Sequence, residues 1–99
     1  MSFVCLLEIQ LHFPDNASLK GKRKELQSLK RQLQKRFGAS VAETDHHDLW
    51  QRATLSAAVV GRSAGGVSEN AAGIARFVES RFPETSSVER TILSSDDLH

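Results

Sequence analysis

The chain has 99 residues, enough for one domain with a single modest core. Cys5 is the only cysteine, which excludes an internal disulfide and suits a reducing compartment. The N-terminus has no signal-peptide pattern and no apolar run approaches the ~20 residues of a membrane span, so we expect a cytoplasmic protein.

The net charge of +1 conceals an uneven distribution. Residues 18–37 contain eight Lys or Arg and one acid, whereas the rest of the chain contains five Arg and eleven acids. The chain therefore has one strongly basic segment in an otherwise acidic domain.

The first half of the chain predicts a strand and a helix. A period of two over residues 3–13 indicates a strand with an apolar face of Phe3, Cys5, Leu7, Ile9, Leu11 and Phe13. Residues 18–37 have an apolar stripe at helical spacing, formed by Leu19, Leu26, Leu29, Leu33 and Phe37. Ser18 is the predicted N-cap and Gly38 the residue that ends the helix.

The second half predicts three more elements and a tail. Residues 40–46 and 51–60 are predicted strands joined by a short turn, and 61–66 a loop. A second helix is predicted from the apolar positions Val67, Ala71, Ile74, Val78 and Phe82, and Pro83 ends it. Residues 87–93 are the last predicted strand. We assign residues 1–95 to a single domain and 96–99 to a frayed tail.

This order of elements predicts a fold. With right-handed crossovers, βαββαβ gives a four-stranded antiparallel sheet of order 4-1-3-2 with both helices on one face. This α+β arrangement is the ferredoxin-like fold, which by itself does not specify a function.

Three stretches carry a family resemblance: "SLKGKRKELQSLK" in the first helix, "VAETDHHDLWQRA" across the hairpin, and the strand-then-helix ending. Together they resemble the YlxP-like family of small bacterial proteins, a domain of unknown function. The resemblance implies a ferredoxin-like fold and a genomic setting among translation and ribosome-maturation factors. It implies no activity and no catalytic residues. Two residues depart from the family's usual pattern. Gly21 stands where a longer, helix-favouring side chain is usual, and Thr44 stands where an aliphatic residue is usual.

The first helix carries the main functional hypothesis. Lys20, Lys24, Arg31 and Lys35 lie opposite its apolar stripe, and a row of one sign of charge is typical of a protein that binds RNA phosphates. Cations flanking the stripe, Lys22 and Arg36 among them, are expected to keep their charged ends in water. We define the basic surface as the six residues expected to bind RNA: Lys20, Arg23, Lys24, Lys30, Arg31 and Lys35. The alternative is a solvated face that acids from elsewhere in the fold neutralise.

The face of the sheet away from the helices carries a second hypothesis. Its outward side chains include no aromatic residue, which argues against base stacking of the RRM type. They do include an apolar set that is expected to cluster at one end and to form a protein or homodimer interface: Val4, Leu6, Ala58 and Val60.

The hairpin motif is interpreted as structural. Asp45 or Asp48 would cap the turn, Trp50 would close the edge of the core, and Arg52 would pair with Glu43 or Asp45. A group of His12, Asp45 and His46 is the third hypothesis, a small hydrolase or metal site. Adjacent His46 and His47 in a strand point to opposite faces, which argues against it.

The basic surface, together with the genomic setting that the resemblance implies, leads us to expect a non-enzymatic RNA- or ribosome-associated accessory protein of translation or ribosome maturation. Its expected partner is ribosomal RNA or a ribosomal subunit. No cofactor, metal or catalytic residue is predicted. The alternative is a protein-interaction or homodimerisation module that uses the open sheet face.

Overall fold

A computed structural model describes residues 1–98. Its elements are β1 (Phe3–His12), α1 (Leu19–Phe37), β2 (Ser40–Asp45), β3 (Arg52–Gly61), α2 (Ala64–Arg81), β4 (Ser86–Ser94) and a 3-10 helix (Ser95–Leu98). The strands form one antiparallel sheet of order β2-β3-β1-β4. The predicted ferredoxin-like fold and strand order are confirmed.

The core lies between the sheet and the two helices. Every second residue of β1 faces the helices, and one apolar stripe from each helix packs against this face. The buried positions therefore recur every two residues in β1 and at helical spacing in α1 and α2, as the sequence predicts. The completely buried members include Cys5, Leu7, Ile9, Leu29, Leu33, Leu55, Ala71, Ile74 and Val78.

The ends of α1 follow the predicted caps. The Ser18 hydroxyl accepts a hydrogen bond from the Gly21 amide at 3.0 Å. Gly38 adopts φ 64° and its amide donates to the Gln34 carbonyl, which ends the helix in a left-handed cap. Because these groups satisfy the free amides and carbonyls of the helix ends, α1 has well-defined limits.

The start of α2 and the C-terminal tail differ most from the prediction, while the strand ends agree to within one residue. The helix α2 begins at Ala64 rather than near Val67, because the Ser63 hydroxyl accepts from the Gly66 amide at 3.1 Å and starts the helix inside the predicted loop. A 3-10 turn at Ser95–Leu98 includes the first three residues of the predicted tail, 96–99, and the Ser95 amide donates to the Ser2 carbonyl at 2.8 Å. His99, the last residue of that tail, lies outside the described residues.

The strand β2 ends in a bulge, and its pairing with β3 assigns its faces. Val41 lies opposite Ala57 and Glu43 opposite Leu55, two buried positions, so Val41 and Glu43 face the helices. The register shifts between Glu43 and Asp45, and the next residue, His46, adopts φ 64°. The chain thus turns sharply one residue earlier than predicted and places the loop of residues 46–51, here called the hairpin loop, beside α1.

Candidate nucleic-acid interface

The basic surface of α1 is free of acidic partners. Five of its six side chains are exposed and Lys30 is half-buried. Within residues 1–98, the ion pairs join acids to Lys22, His46 and Arg81, and none involves the basic surface. Its members also make no side-chain hydrogen bonds in this part of the chain. No acid of residues 1–98 therefore lies in ion-pair contact with the basic surface, although Glu43 lines a shallow pocket together with Arg23 and Lys30.

The single acid of α1 is turned away from this surface. Glu25 lies on the flank of α1 that faces α2, where its carboxylate is 3.7 Å from the Arg81 guanidinium. On the same flank Gln32 accepts a hydrogen bond from Arg81, and the Arg36 guanidinium lies 4.9 Å from the centre of the Phe77 ring. The polar groups between the helices thus bind one another and leave the solvent face of α1 positive.

Lys22 is buried rather than snorkelling to water, and its role was missed from the sequence. Only 1% of it is exposed. Its ammonium donates to the carbonyls of His46 and Leu49, both at 2.6 Å, and to that of His47 at 3.4 Å. The one signal for this was its spacing, four residues before Leu26 and seven before Leu29, which places it within the apolar stripe.

Glu43 completes this anchor. Its Oε2 atom lies 3.3 Å from the Lys22 ammonium, an ion pair, and this same buried oxygen has no hydrogen-bond partner within residues 1–98. Arg52 is predicted to pair with Glu43 or Asp45, but within residues 1–98 it forms no ion pair and is exposed. Lys22 therefore joins α1 to the hairpin loop from inside the domain, where the desolvated ammonium needs this many acceptors.

The aspartates of the hairpin have smaller parts. One carboxylate oxygen of Asp45 accepts a hydrogen bond from the His46 amide at 2.7 Å, at the residue with positive φ. Asp48 is exposed, and no side-chain hydrogen bond of Asp48 is present among residues 1–98. Of the two predicted capping residues, Asp45 is the one that contacts the turn.

Trp50 does not close the core edge; 51% of it is exposed. Its neighbour Leu49 is 46% exposed. The main chain at Trp50 is nevertheless fixed, because the Asn16 amide group donates to the Trp50 carbonyl at 2.5 Å and to the Ser18 carbonyl at 2.6 Å. The hairpin loop is thus tied to the N-terminal end of α1, with its largest apolar side chain in solvent.

Gly21 makes room for this tie. A Cβ atom at residue 21 would stand 2.5 Å from the Asn16 side-chain oxygen, closer than van der Waals contact allows. The glycine that weakens α1 by intrinsic propensity therefore permits the close approach of Asn16 to the first turn of the helix.

The open sheet face has an apolar half. The pairing of β1 with β3 sets Val4 opposite Val60 and Leu6 opposite Ala58, so the four predicted residues are cross-strand neighbours. Val60 is 72% exposed and Leu6 39%. Leu93 of β4 lies opposite Val4 and extends the row to the sheet edge. We call these five residues the apolar patch.

The other half of this face is a hydrogen-bonded polar network. The Thr54 hydroxyl donates to the side-chain amide oxygen of Gln10 at 2.7 Å and lies 2.9 Å from His46 Nδ1. In the next row the Ser56 hydroxyl donates to Glu8 at 3.1 Å, and Thr44 lies 2.8 Å from Ser56. These polar groups satisfy one another and hold β2, β3 and β1 in register.

The His12, Asp45 and His46 group does not converge on one point. The strand registers set Asp45 and Gln10 opposite Thr54 but His12 opposite Arg52, two residues further along. His46 contacts Thr54 instead of His12. Among residues 1–98, no three His, Cys, Asp or Glu side chains are placed to hold one metal ion.

A cleft of about 460 Å³ lies at the end of the sheet, lined by Phe13, Phe82, Arg81 and His12 among others. The two phenyl rings pack edge to face at 5.6 Å, and Arg81 is engaged by Glu25 and Gln32. Neither helix of residues 1–98 combines the length and apolar character that crossing a bilayer requires.

The fold and this surface define a small α+β domain with a basic helix face that forms no ion pair within residues 1–98. A family model described as "Protein of unknown function (DUF503)" matches residues 4–91. The chain therefore belongs to the DUF503 family. No match is found among curated proteins.

Solved structures similar to this chain include designed proteins. De novo designed protein Foldit4 is 11% identical with a TM-score of 0.64, covering 96% of this chain and 99% of its own. The designed ferredoxin-fold protein LFR1 1 is 16% identical with a TM-score of 0.44, covering 93% and 86%. Ferredog-Diesel, also designed, is 19% identical with a TM-score of 0.45, covering 87% and 83%. Because the identity is only 11%, the likeness to Foldit4 concerns the fold alone.

Proposed function

We propose that this protein is a cytoplasmic, non-enzymatic RNA- or ribosome-associated accessory protein of translation or ribosome maturation. The observation that carries the proposal is that all six side chains of the basic surface lack an acidic partner within residues 1–98. The resemblance to the YlxP-like family, with its genomic setting among translation factors, supports the same conclusion. Ribosomal RNA or a ribosomal subunit is the proposed partner.

The proposed mechanism is phosphate binding by α1. A helix of 19 residues is about 29 Å long, and the cations along it can contact successive phosphates of a strand. Six contacts release counterions and give a slope of about −4 to −5 when log affinity is plotted against log salt. Phosphate contacts set position without reading base sequence. Recognition through this helix alone would therefore depend on the shape of the RNA.

The test is binding to purified ribosomal subunits and to labelled ribosomal RNA fragments, from about 50 to about 300 mM salt. Lys24→Ala/Arg31→Ala/Lys35→Ala removes three positive charges from the basic surface. Arg62→Ala/Arg76→Ala/Arg90→Ala removes three exposed positive charges elsewhere and is the matched control. Thermal unfolding of both variants verifies that each is folded.

The two variants have different expected results. The helix variant should reduce the salt slope by about 2 to 3 and bind much more weakly, because three phosphate contacts are lost. The control should retain most of the affinity and the slope. Equal losses in both variants would show that only net charge matters, and no binding at the lowest salt would overturn the proposal.

A second candidate is a homodimer formed through the apolar patch. It is favoured by the exposure of Val60 and Leu6 at adjacent positions of neighbouring strands. Leu6→Glu should then convert a dimer to a monomer in light-scattering measurements, with Gln10→Glu on the polar half of the same strand as the control. A wild-type protein that is monomeric at high concentration would refute this candidate.

A further inference from the structure

Trp50 is an exposed aromatic side chain that the basic surface does not explain. It is the only tryptophan in the chain and is 51% exposed. Leaving so large a ring in water forgoes the stabilisation that burial would give. About half of it stays exposed, although this domain buries most of its other large apolar side chains.

The segment that carries Trp50 is held in place from inside the domain. The Lys22 ammonium binds three carbonyls of the hairpin loop, two of them at 2.6 Å, and Asn16 binds the Trp50 carbonyl at 2.5 Å. These ties act on the main chain and do not depend on the indole ring. A ring presented from a fixed backbone loses little conformational entropy when it binds a ligand, which is the basis of preorganised recognition.

The position of Trp50 relates it to the basic surface. Asn16 binds the carbonyls of both Trp50 and Ser18, and Ser18 is the N-cap of α1. The hairpin loop therefore meets the end of α1 at which the basic surface starts, with Lys20 in the first turn. An exposed aromatic ring next to a row of unpaired cations is the combination that binds single-stranded nucleic acid, because bases stack on the ring while cations contact the phosphates.

We propose that Trp50 stacks on an unpaired RNA base whose neighbouring phosphates lie along α1. The inference rests on the proposed function and adds the class of ligand, which is single-stranded or looped RNA in preference to a duplex. The bases of a duplex are stacked on one another and offer no free face to a ring. The stacking site is on the hairpin loop, in contrast to the sheet face that RRM domains use.

The experiment uses intrinsic fluorescence, which reports on Trp50 alone because the chain has no tyrosine and no second tryptophan. The full chain is titrated with a labelled single-stranded RNA of about 10 nucleotides and with a duplex of the same phosphate number. Anisotropy of the label measures binding, and emission of the protein measures stacking. Trp50→Ala removes the ring, Trp50→Phe keeps an aromatic face, and Trp50→Leu keeps apolar volume without one.

The expected result is saturable quenching of Trp50 by the single strand, with binding but little quenching by the duplex. Trp50→Ala and Trp50→Leu should bind the single strand roughly 5- to 150-fold more weakly, and Trp50→Phe should recover much of the loss. Binding of the single strand without quenching, and with unchanged affinity in Trp50→Ala, would overturn the stacking site and leave the basic surface intact. Failure of both RNAs to bind would overturn the proposed function together with this inference. Emission that changes with protein concentration alone would show that a second copy covers Trp50 and would also overturn it.

Discussion

Replacing Lys22 by methionine tests the anchor between α1 and the hairpin loop. Methionine keeps a long apolar stem in the stripe of α1 but lacks the ammonium group. The change leaves the carbonyls of His46 and Leu49 without the donor that each has at 2.6 Å. It also leaves the Glu43 carboxylate, 3.3 Å from the lost group, without its counter-charge.

The size of the effect follows from these contacts. Hydrogen bonds to a charged group contribute about 1.5–3 kcal/mol each, so two short ones account for about 3–6 kcal/mol. The variant no longer buries an ammonium group, and the desolvation cost that is thereby avoided offsets part of this loss. For comparison, breaking a buried ion pair by removing one partner typically costs about 3–5 kcal/mol. We expect a loss of about 3–4 kcal/mol in the free energy of unfolding. In a domain of this size that lowers Tm by roughly 12–30 °C.

The assay is thermal unfolding followed by circular dichroism, with Lys24→Met as the matched control. Lys24 lies half a turn away on the exposed face of the same helix and has no ion pair within residues 1–98, so its replacement should change stability by less than about 0.5 kcal/mol. Glu43→Gln added to Lys22→Met should recover about 1 kcal/mol, because it removes the stranded charge. Equal Tm values for Lys22→Met and Lys24→Met would refute the reasoning.

Two further predictions concern Gly21 and Cys5. Gly21→Ala should not raise Tm, because the added Cβ displaces Asn16. In an Asn16→Ala background the same change should raise the free energy of unfolding, measured in urea, by about 1 kcal/mol through helix propensity. A rise in Tm in the wild-type background would show that Asn16 moves at no cost. Burial raises the pKa of the Cys5 thiol, while the nearby Arg90 charge opposes the shift. Because the raised pKa disfavours the thiolate in the folded state, the contribution of the Cys5 thiol to the free energy of unfolding is fully present below the unfolded thiol's pKa of about 8.5. That contribution is lost as the pH rises further. Urea unfolding at neutral and alkaline pH should show that decline in the wild type and less of it in Cys5→Ala, and an identical decline in both would assign it to other groups.

The sequence alone determined the architecture because the two periodicities are local properties. The alternation through residues 3–13 and the stripe of α1 both concern neighbours along the chain, and Ser18 and Gly38 delimit α1 through bonds of a few residues' reach. The handedness of crossovers then leaves few ways to assemble the strands. The location of the basic surface was readable for the same reason, since opposite faces of one helix are set by its own geometry.

The tertiary structure decided which side chains of similar type are buried and which are free. Lys22 and Lys24 are two residues apart, yet one binds three carbonyls in the interior and the other lies in solvent. Glu43 pairs with Lys22 of α1 rather than with Arg52 on the next strand. Trp50 stays largely outside the core, although its indole ring is apolar enough to be buried there. These outcomes depend on how the hairpin loop docks against a helix some 25 residues earlier in the chain, as in the contact of Lys22 with His47. Whether a charged side chain is buried depends on partners that are distant in sequence. Only contact with those partners in the folded domain offsets the cost of desolvating the charge.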